Sequence, residues 1–408
     1  MRQLLYPCLA MFCMAFVQPV AAQQALSEAD AVSRVSLESP RARAIRAQVD
    51  LASADAYAAA RWPNPRVTFS RESVAGTAEN YLLFSQAFPI TGRRGLETDS
   101  ANQQVRAAQL RADDLVRRLR ADARRAFVAL SVAENRVRQL ERALADLESL
   151  SEILAKREAA GDAAGFDRLR AEREALDVAA SLAGARAERA RWQGDLAAFF
   201  YPSPDPASLH AAPLSPARSP LPAATDLVAQ AEAARPDLLA LDRDIESARL
   251  AGDAAARSRI PEPEVVAGLK TTSVGDDRQG SVVSIAASIP LFDRARPERA
   301  RAEARSLVAT AERDALRSEI GAAVRALWRV AEERRAAADA YRSAAIPTSD
   351  QLRRIARLSY DAGERGILEL LDAYRIAADA WLRLADLDAA VAHAEIDLEL
   401  MTAVEIRK

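Results

Sequence analysis

The sequence predicts a mainly α-helical chain made of two copies of one unit, each ordered helix, β-hairpin, long helix, long helix. Three observations predict it. The 408 residues are 50% hydrophobic but only 5% aromatic, with Ala and Leu dominating the apolar fraction and Arg and Glu most of the charge, a composition that favours long helices and coiled coils. Three pairs of segments recur in the same order. Arg61-Trp-Pro-Asn-Pro-Arg-Val67 matches Arg259-Ile-Pro-Glu-Pro-Glu-Val265, Phe88-Pro-Ile-Thr-Gly-Arg93 matches Ile289-Pro-Leu-Phe-Asp-Arg294, and the run from Ala160-Gly-Asp to Arg173 matches Ala362-Gly-Glu to Arg375. Their offsets are 198, 201 and 202 residues, far beyond a solenoid period. Lastly, Leu96–Ala160 runs 65 residues without Gly or Pro.

Residues 1–22 read as a secretory signal peptide: Arg2 is the basic start, Leu4–Val17 the apolar core, and Val20-Ala21-Ala22 a small-residue cleavage site. A membrane anchor is the other reading, but the core is short for a span and no basic stop follows. Ala-Met-Phe before Cys13 makes no lipobox, so no lipid anchor is expected. Cleavage removes both cysteines, Cys8 and Cys13. The remaining 386 residues then hold no thiol for a disulfide, a metal or catalysis, and only His210 and His393 as histidines.

The first repeat spans 23–200. Ser27–Arg61 is Ala-rich and helical until Pro63 and Pro65 stop it. Arg66–Ser73 alternates, with Val67 and Phe69 opposed to Thr68 and Ser70, and a turn at Ala75-Gly76-Thr77 leads to Tyr81–Phe88. This is a hairpin over 66–88. The Gly-free stretch that follows would make a helix about 95 Å long. Val137, Leu140, Leu144, Leu147 and Leu154 keep coiled-coil spacing. A tip turn near Gly161 sends a return helix to about Phe200.

Residues 201–224 form a connector with seven of the 19 prolines. The second repeat spans 225–408: a helix from Thr225 to Ser258, a hairpin over 264–289 with its turn at Gly275–Gly280, and a long helix from about Pro297. Pro347 should kink that helix, since it removes a backbone donor, so the copies are not equivalent there. The tip lies near Gly363, and Ile367, Leu371, Tyr374, Ala378, Trp381 and Ala385 resume heptad spacing.

Four short strands on a secreted helical chain pose a physical problem. Two hairpins make no stable free sheet and leave edges open. Their length suits a tilted bilayer span, but in lipid only a closed barrel is tolerated. Four strands cannot close one, whereas three chains would supply 12. The competing reading is a soluble helical protein with the hairpins packed on its flank.

The pattern resembles the TolC family of outer-membrane efflux channels over essentially the whole mature chain. It is carried by Arg235-Pro-Asp-Leu238, Pro261-Glu-Pro263, Ser288-Ile-Pro-Leu-Phe-Asp-Arg294 and Tyr360-Asp-Ala-Gly-Glu-Arg-Gly-Ile-Leu-Glu-Leu-Leu-Asp-Ala373. The resemblance implies a homotrimer with a 12-strand outer-membrane β-barrel continuous with a periplasmic α-helical barrel. It also implies a periplasmic adaptor, a proton-driven inner-membrane pump, and the heavy-metal branch over the drug and protein-secretion branches.

By the same match, Glu369 and Asp372 form the channel constriction. They lie three apart and so share a helix face, and six such carboxylates around a threefold axis would attract cations. Asp167, Tyr360 and Arg365 are implied to latch the tip shut, and Gly161 and Gly363 to form tip turns that meet the adaptor. Each has a bland counterpart: a solvated acidic face, ordinary polar surface, C-cap glycines.

The formal net charge of −2 argues against nucleic acid. No catalytic residues, resident metal or cofactor are expected, since no nucleophile–base pair, phosphate loop or metal-spaced cluster appears. The alternative function is a soluble periplasmic coiled-coil adaptor or scaffold without a pore.

Overall fold

The computed structural model describes residues 25–35, 38–160, 165–215, 219–274 and 276–406. The leader with its two cysteines and the tip residue Gly161 lie outside the described residues. The first repeat is α1 Glu28–Ser33, α2 Pro40–Ala60, β1 Arg66–Val74, β2 Thr77–Ala87, α3 Arg93–Ala159 and α4 Gly165–Ala197. The second is α5 Ala224–Ala234, α6 Pro236–Arg257, β3 Pro263–Val274, β4 Asp276–Ala287, α7 Arg296–Ala340, a π-helical turn Tyr341–Ala345, α8 Ile346–Asp361 and α9 Ile367–Thr402. The duplicated order is therefore the one expected.

Three details correct the expectation. The opening helix of each repeat is two helices. Ser39 caps α2 with Pro40 in its first turn, and Pro236 starts α6 just after Arg235 ends α5. Proline is welcome in a first turn, where the amide has no partner anyway, so each marks a fresh start. The second hairpin is also longer than its composition suggests: β4 begins at Asp276, within the stretch expected to be a turn. Thirdly, the hairpins are not isolated. They pair through β2 and β3 into one antiparallel sheet, β1-β2-β3-β4, leaving β1 and β4 as its edges.

The helices continue the sheet. Beneath the strands, α2, α3, α6 and α7 pack side by side in that order. Small residues let α3 and α6 approach: Ser100 Oγ donates to Ser247 O at 2.8 Å, and Ser247 Oγ donates to Ser100 O at 2.9 Å. Farther down, α3 pairs with α4 and α8 with α9. α3 has 67 residues, about 100 Å of helix.

Mid-length, the connector packs against both repeats instead of hanging free. Leu26 bridges Ala211 in parallel, and Leu209 and Ala211 join a core with Phe127, Leu130, Leu196 and Ile396. The Arg235-Pro-Asp-Leu segment also serves this belt. Buried Arg235 bonds Asp237 through Nε at 2.9 Å and donates to Met401 O at 3.2 Å, tying α6 to the end of α9. Just before Pro347, the helix carries the π turn Tyr341–Ala345, which takes up one extra residue ahead of a proline that lacks a backbone donor.

Candidate functional site

Two places merit a chemical reading: the sheet and the tip. The register assigns each strand residue to a face. One face carries the rows Val67–Phe84–Ala267–Val283 and Phe69–Leu82–Leu269–Ser281, with Val265 and Ile285 next. The other carries Glu72–Glu79–Thr272–Arg278 and Ser70–Tyr81–Lys270–Gly280. The apolar face lies open: Phe69 is 69% exposed, Val283 76% and Ile285 75%. On the other face Lys270 Nζ lies 2.7 Å from Glu79 Oε1 and the Tyr81 hydroxyl donates to Glu79 at 2.6 Å. A water-soluble sheet hides its apolar side. This one leaves it uncovered.

At the far end, α8 closes in a Schellman turn. Gly363 takes φ +76°, its amide donates to Tyr360 O at 3.0 Å, and Glu364 N donates to Ser359 O at 2.9 Å. Left-handed backbone of this kind favours glycine, which is why Gly363 can close this turn. Beneath it Leu147, Leu150 and Leu154 of α3 pack with Ala356 and Tyr360 of α8 and Ile367, Leu370 and Leu371 of α9. Both repeats thus share one tip core.

Of the three expected latch residues, two are brought together. The Tyr360 hydroxyl lies 3.5 Å from Asp167 Oδ2. Burial pushes the Tyr360 phenol up, and the neighbouring Asp167 charge adds to it. Arg365 is not with them; its side chain makes no hydrogen bond or ion pair among the described residues, and only its amide is engaged, on Ser359 O. The shorter links between repeats are ones the sequence did not single out. Arg353 Nη1 meets Asp146 Oδ2 at 3.0 Å, and Arg157 Nη2 meets Asp361 Oδ1 at 3.4 Å. Arg357 is held by Asp361 at 3.0 Å and by the Tyr374 hydroxyl at 3.3 Å. Both links between repeats join elements about 200 residues apart, so only superposing the repeats in register could have found them.

Glu369 and Asp372 occupy the exposed side of the start of α9, opposite buried Leu370 and Ala373. Glu369 lies in the first turn, where a carboxylate suits the helix dipole. Asp372 is paired with Arg375 at 2.5 Å. No group of three His, Cys, Asp or Glu stands ready for a metal among the described residues, and no described helix is long and apolar enough to cross a membrane.

No family model and no curated protein matches the chain in sequence. Solved structures do match in shape. The chain has the fold of the TolC-type outer-membrane channels. A membrane protein from Pseudomonas aeruginosa superposes with TM-score 0.75 at 19% identity, over 94% of this chain and 93% of that one. The outer membrane protein VceC of Vibrio cholerae gives 0.73 at 17%, over 93% and 97%. The Neisseria gonorrhoeae outer membrane channel MtrE, in its open state, gives 0.73 at 19%, over 93% and 89%. The TolC-type fold extends along nearly the whole chain, so strands and helices belong to one design.

Proposed function

We propose that the chain is the outer-membrane channel of a tripartite efflux system, a passive exit duct fed by an inner-membrane pump through a periplasmic adaptor. One observation carries this: a four-stranded sheet with an exposed apolar face, a polar cluster on the opposite face and two edges unpaired among the described residues. In lipid each unpaired backbone group costs several kcal/mol, so the β1 and β4 edges must be joined to others. Edge β1 continues from α2, and β4 continues into α7, the two outer helices of the layer. The α2/β1 side of one copy can therefore meet the β4/α7 side of the next along its length. Repeated contacts of this head-to-tail kind close into a ring, and three copies give the 12-strand barrel of the resemblance, with cargo in the heavy-metal or small toxic class.

In this reading Glu369 and Asp372 ring the periplasmic mouth, Tyr360 and Asp167 hold it shut, and Gly363 presents the turn that meets the adaptor. Export by the leader delivers the chain to the periplasm. The soluble adaptor reading would place Phe69, Val283 and Ile285 in water without a cover.

The test is direct. Purified protein should be a detergent-dependent trimer and should form discrete conducting channels in a planar bilayer. A monomer stable in plain buffer would refute the reading.

A further inference from the structure

The outward apolar band is too short on the strands to cross a bilayer, and its missing part lies just beyond them. On β2 the band runs from Leu82 to Phe88, whose amide still donates to Pro263 O at 2.9 Å. The six steps between them, at about 3.3 Å each and tilted about 40°, give a height of about 15 Å against the roughly 25 Å a barrel band needs. The next row toward the hairpin turns is polar: Arg71, Asn80, Thr271 and Gln279. The deficit must be met at the helix side.

There, both repeats build the same device. Ile90 N donates to Phe88 O and Leu291 N donates to Ile289 O, each at 2.9 Å, closing a three-residue turn around Pro89 and Pro290. Each turn fixes an apolar residue in the open: Ile90 is 72% exposed, Leu291 63%, and the following Phe292 99%. Trp62 stands edge-on to Phe88 with centroids 6.4 Å apart, and the Arg94 guanidinium lies 5.1 Å over its ring. Just below, Arg61, Arg259, Arg294 and Arg296 are exposed, and their side chains make no ion pair or hydrogen bond among the described residues. Of the acids in the Asp293–Glu298 stretch, Asp293 is occupied by the Ala295 amide.

We propose that these paired Pro turns form a collar that inserts Ile90, Leu291 and Phe292 into the periplasm-facing leaflet, with the four arginines at its lipid phosphates. Apolar residues on tight turns enter lipid at little entropic cost, and guanidinium matches phosphate in charge and geometry. The inference rests on the channel reading, and it names a lipid surface that this reading leaves open.

A nitroxide placed by Phe292→Cys, in a Cys8→Ser, Cys13→Ser background of the full chain, tests it in vesicles of phosphatidylethanolamine and phosphatidylglycerol. A Phe84→Cys label marks the band centre. At 292, collisions with oxygen should exceed those with a water-soluble nickel chelate several-fold. Replacing the four arginines with serine should shift that ratio toward the aqueous side. A label at 292 that meets the chelate freely, while 84 reports lipid, overturns the collar and spares the channel. Shielding from both reagents means protein covers the turn and also overturns it. Aqueous behaviour at both positions sinks the channel reading and the collar together. An unchanged ratio in the arginine variant removes the phosphate contact.

Discussion

Two glycines in the sheet make opposite predictions from one geometry. Gly268 lies on β3 between Leu83 of β2 and Val282 of β4. A Cβ there would fall 2.1 Å from Leu82 O and 2.9 Å from Leu83 Cα, both backbone atoms that no rotamer can move aside. Gly280, on β4 one row nearer the turns, would meet nothing within 4 Å. In Gly268→Ala, β2 must therefore retreat from β3 by about 1 Å to restore ordinary contact. That stretches two to three ladder hydrogen bonds past useful length, at about 1 kcal/mol each. The chain entropy that alanine saves returns about 0.5 kcal/mol, leaving a net loss of about 2 kcal/mol. Gly280→Ala should gain about 0.5 kcal/mol by the same entropy. The seam matters because β2–β3 is where the repeats join in the sheet. Thermal unfolding of the detergent-solubilised protein, followed by far-ultraviolet dichroism, would order the midpoints Gly280→Ala, wild type, Gly268→Ala. If Gly268→Ala melts with or above the wild type, β2 and β3 are not packed as closely as described, and the repeats are joined some other way.

The remaining predictions concern the tip and the belt. Replacing Arg353 and Arg157 together by serine should raise single-channel conductance more than Asp167→Ala or Arg365→Ser, because the arginines carry the shorter links between repeats; equal effects in planar-bilayer recordings would return the latch to the residues read from the sequence. Glu369→Gln with Asp372→Asn should weaken cation selectivity, and an unmoved reversal potential would remove the acidic ring. Asp237 gives a pH signature. Burial pushes its carboxyl up, but the Arg235 guanidinium and the Leu238 amide outweigh this and hold it below the usual carboxylate range. Its contribution is thus present above the unfolded value of about 3.9 and lost as pH falls through the lower folded one. Asp237→Asn should cost about 3 kcal/mol near neutrality by stranding a buried guanidinium, and the deficit should shrink below about pH 4 in urea unfolding.

Much of the fold was legible because its cues are local. Pro63, Pro65, Gly76 and the Gly-free run after Gly95 mark boundaries in a single pass along the chain, and Val67/Phe69 against Thr68/Ser70 shows two faces at once. Pro40 and Pro236 were equally visible but lie inside Ala-rich stretches, where a first-turn proline looks like an interruption instead of a start. What stayed hidden is relational. Nothing in β2 or β3 alone says that Leu82 opposes Leu269, so the hairpins read as separate. At the tip, Tyr360 and Asp167 were found through a motif, whereas Arg353–Asp146 depends on the phase of two helices from different repeats. Arg365 shows the limit of a motif: the residue type matches, yet the α8 turn leaves its side chain without a described partner.

The departure from internal symmetry has a mechanical consequence for a gate of the proposed kind. α3 is one uninterrupted helix, while its counterpart in the second repeat is α7, a π turn, and α8 with Pro347 near its start. A continuous helix of that length resists bending; a helix with a π turn and a first-turn proline has a built-in joint. The polar links Arg353–Asp146 and Arg157–Asp361 both lie on the tip side of that joint, and both tie the jointed helix to the continuous one. Their side chains are roughly two-fifths exposed, so each is worth about 0.5 kcal/mol. Even with Tyr360–Asp167, at the 3.5 Å limit of a hydrogen bond, adding about 0.5 kcal/mol, the polar latch holds about 1.5 kcal/mol per protomer. A partner that bound the released tip about 13-fold more tightly would supply that much. The apolar tip core of Leu147, Leu150 and Leu370 contributes far more than these links and must stay packed, so release has to pivot α8 and α9 about the joint without pulling them off α3.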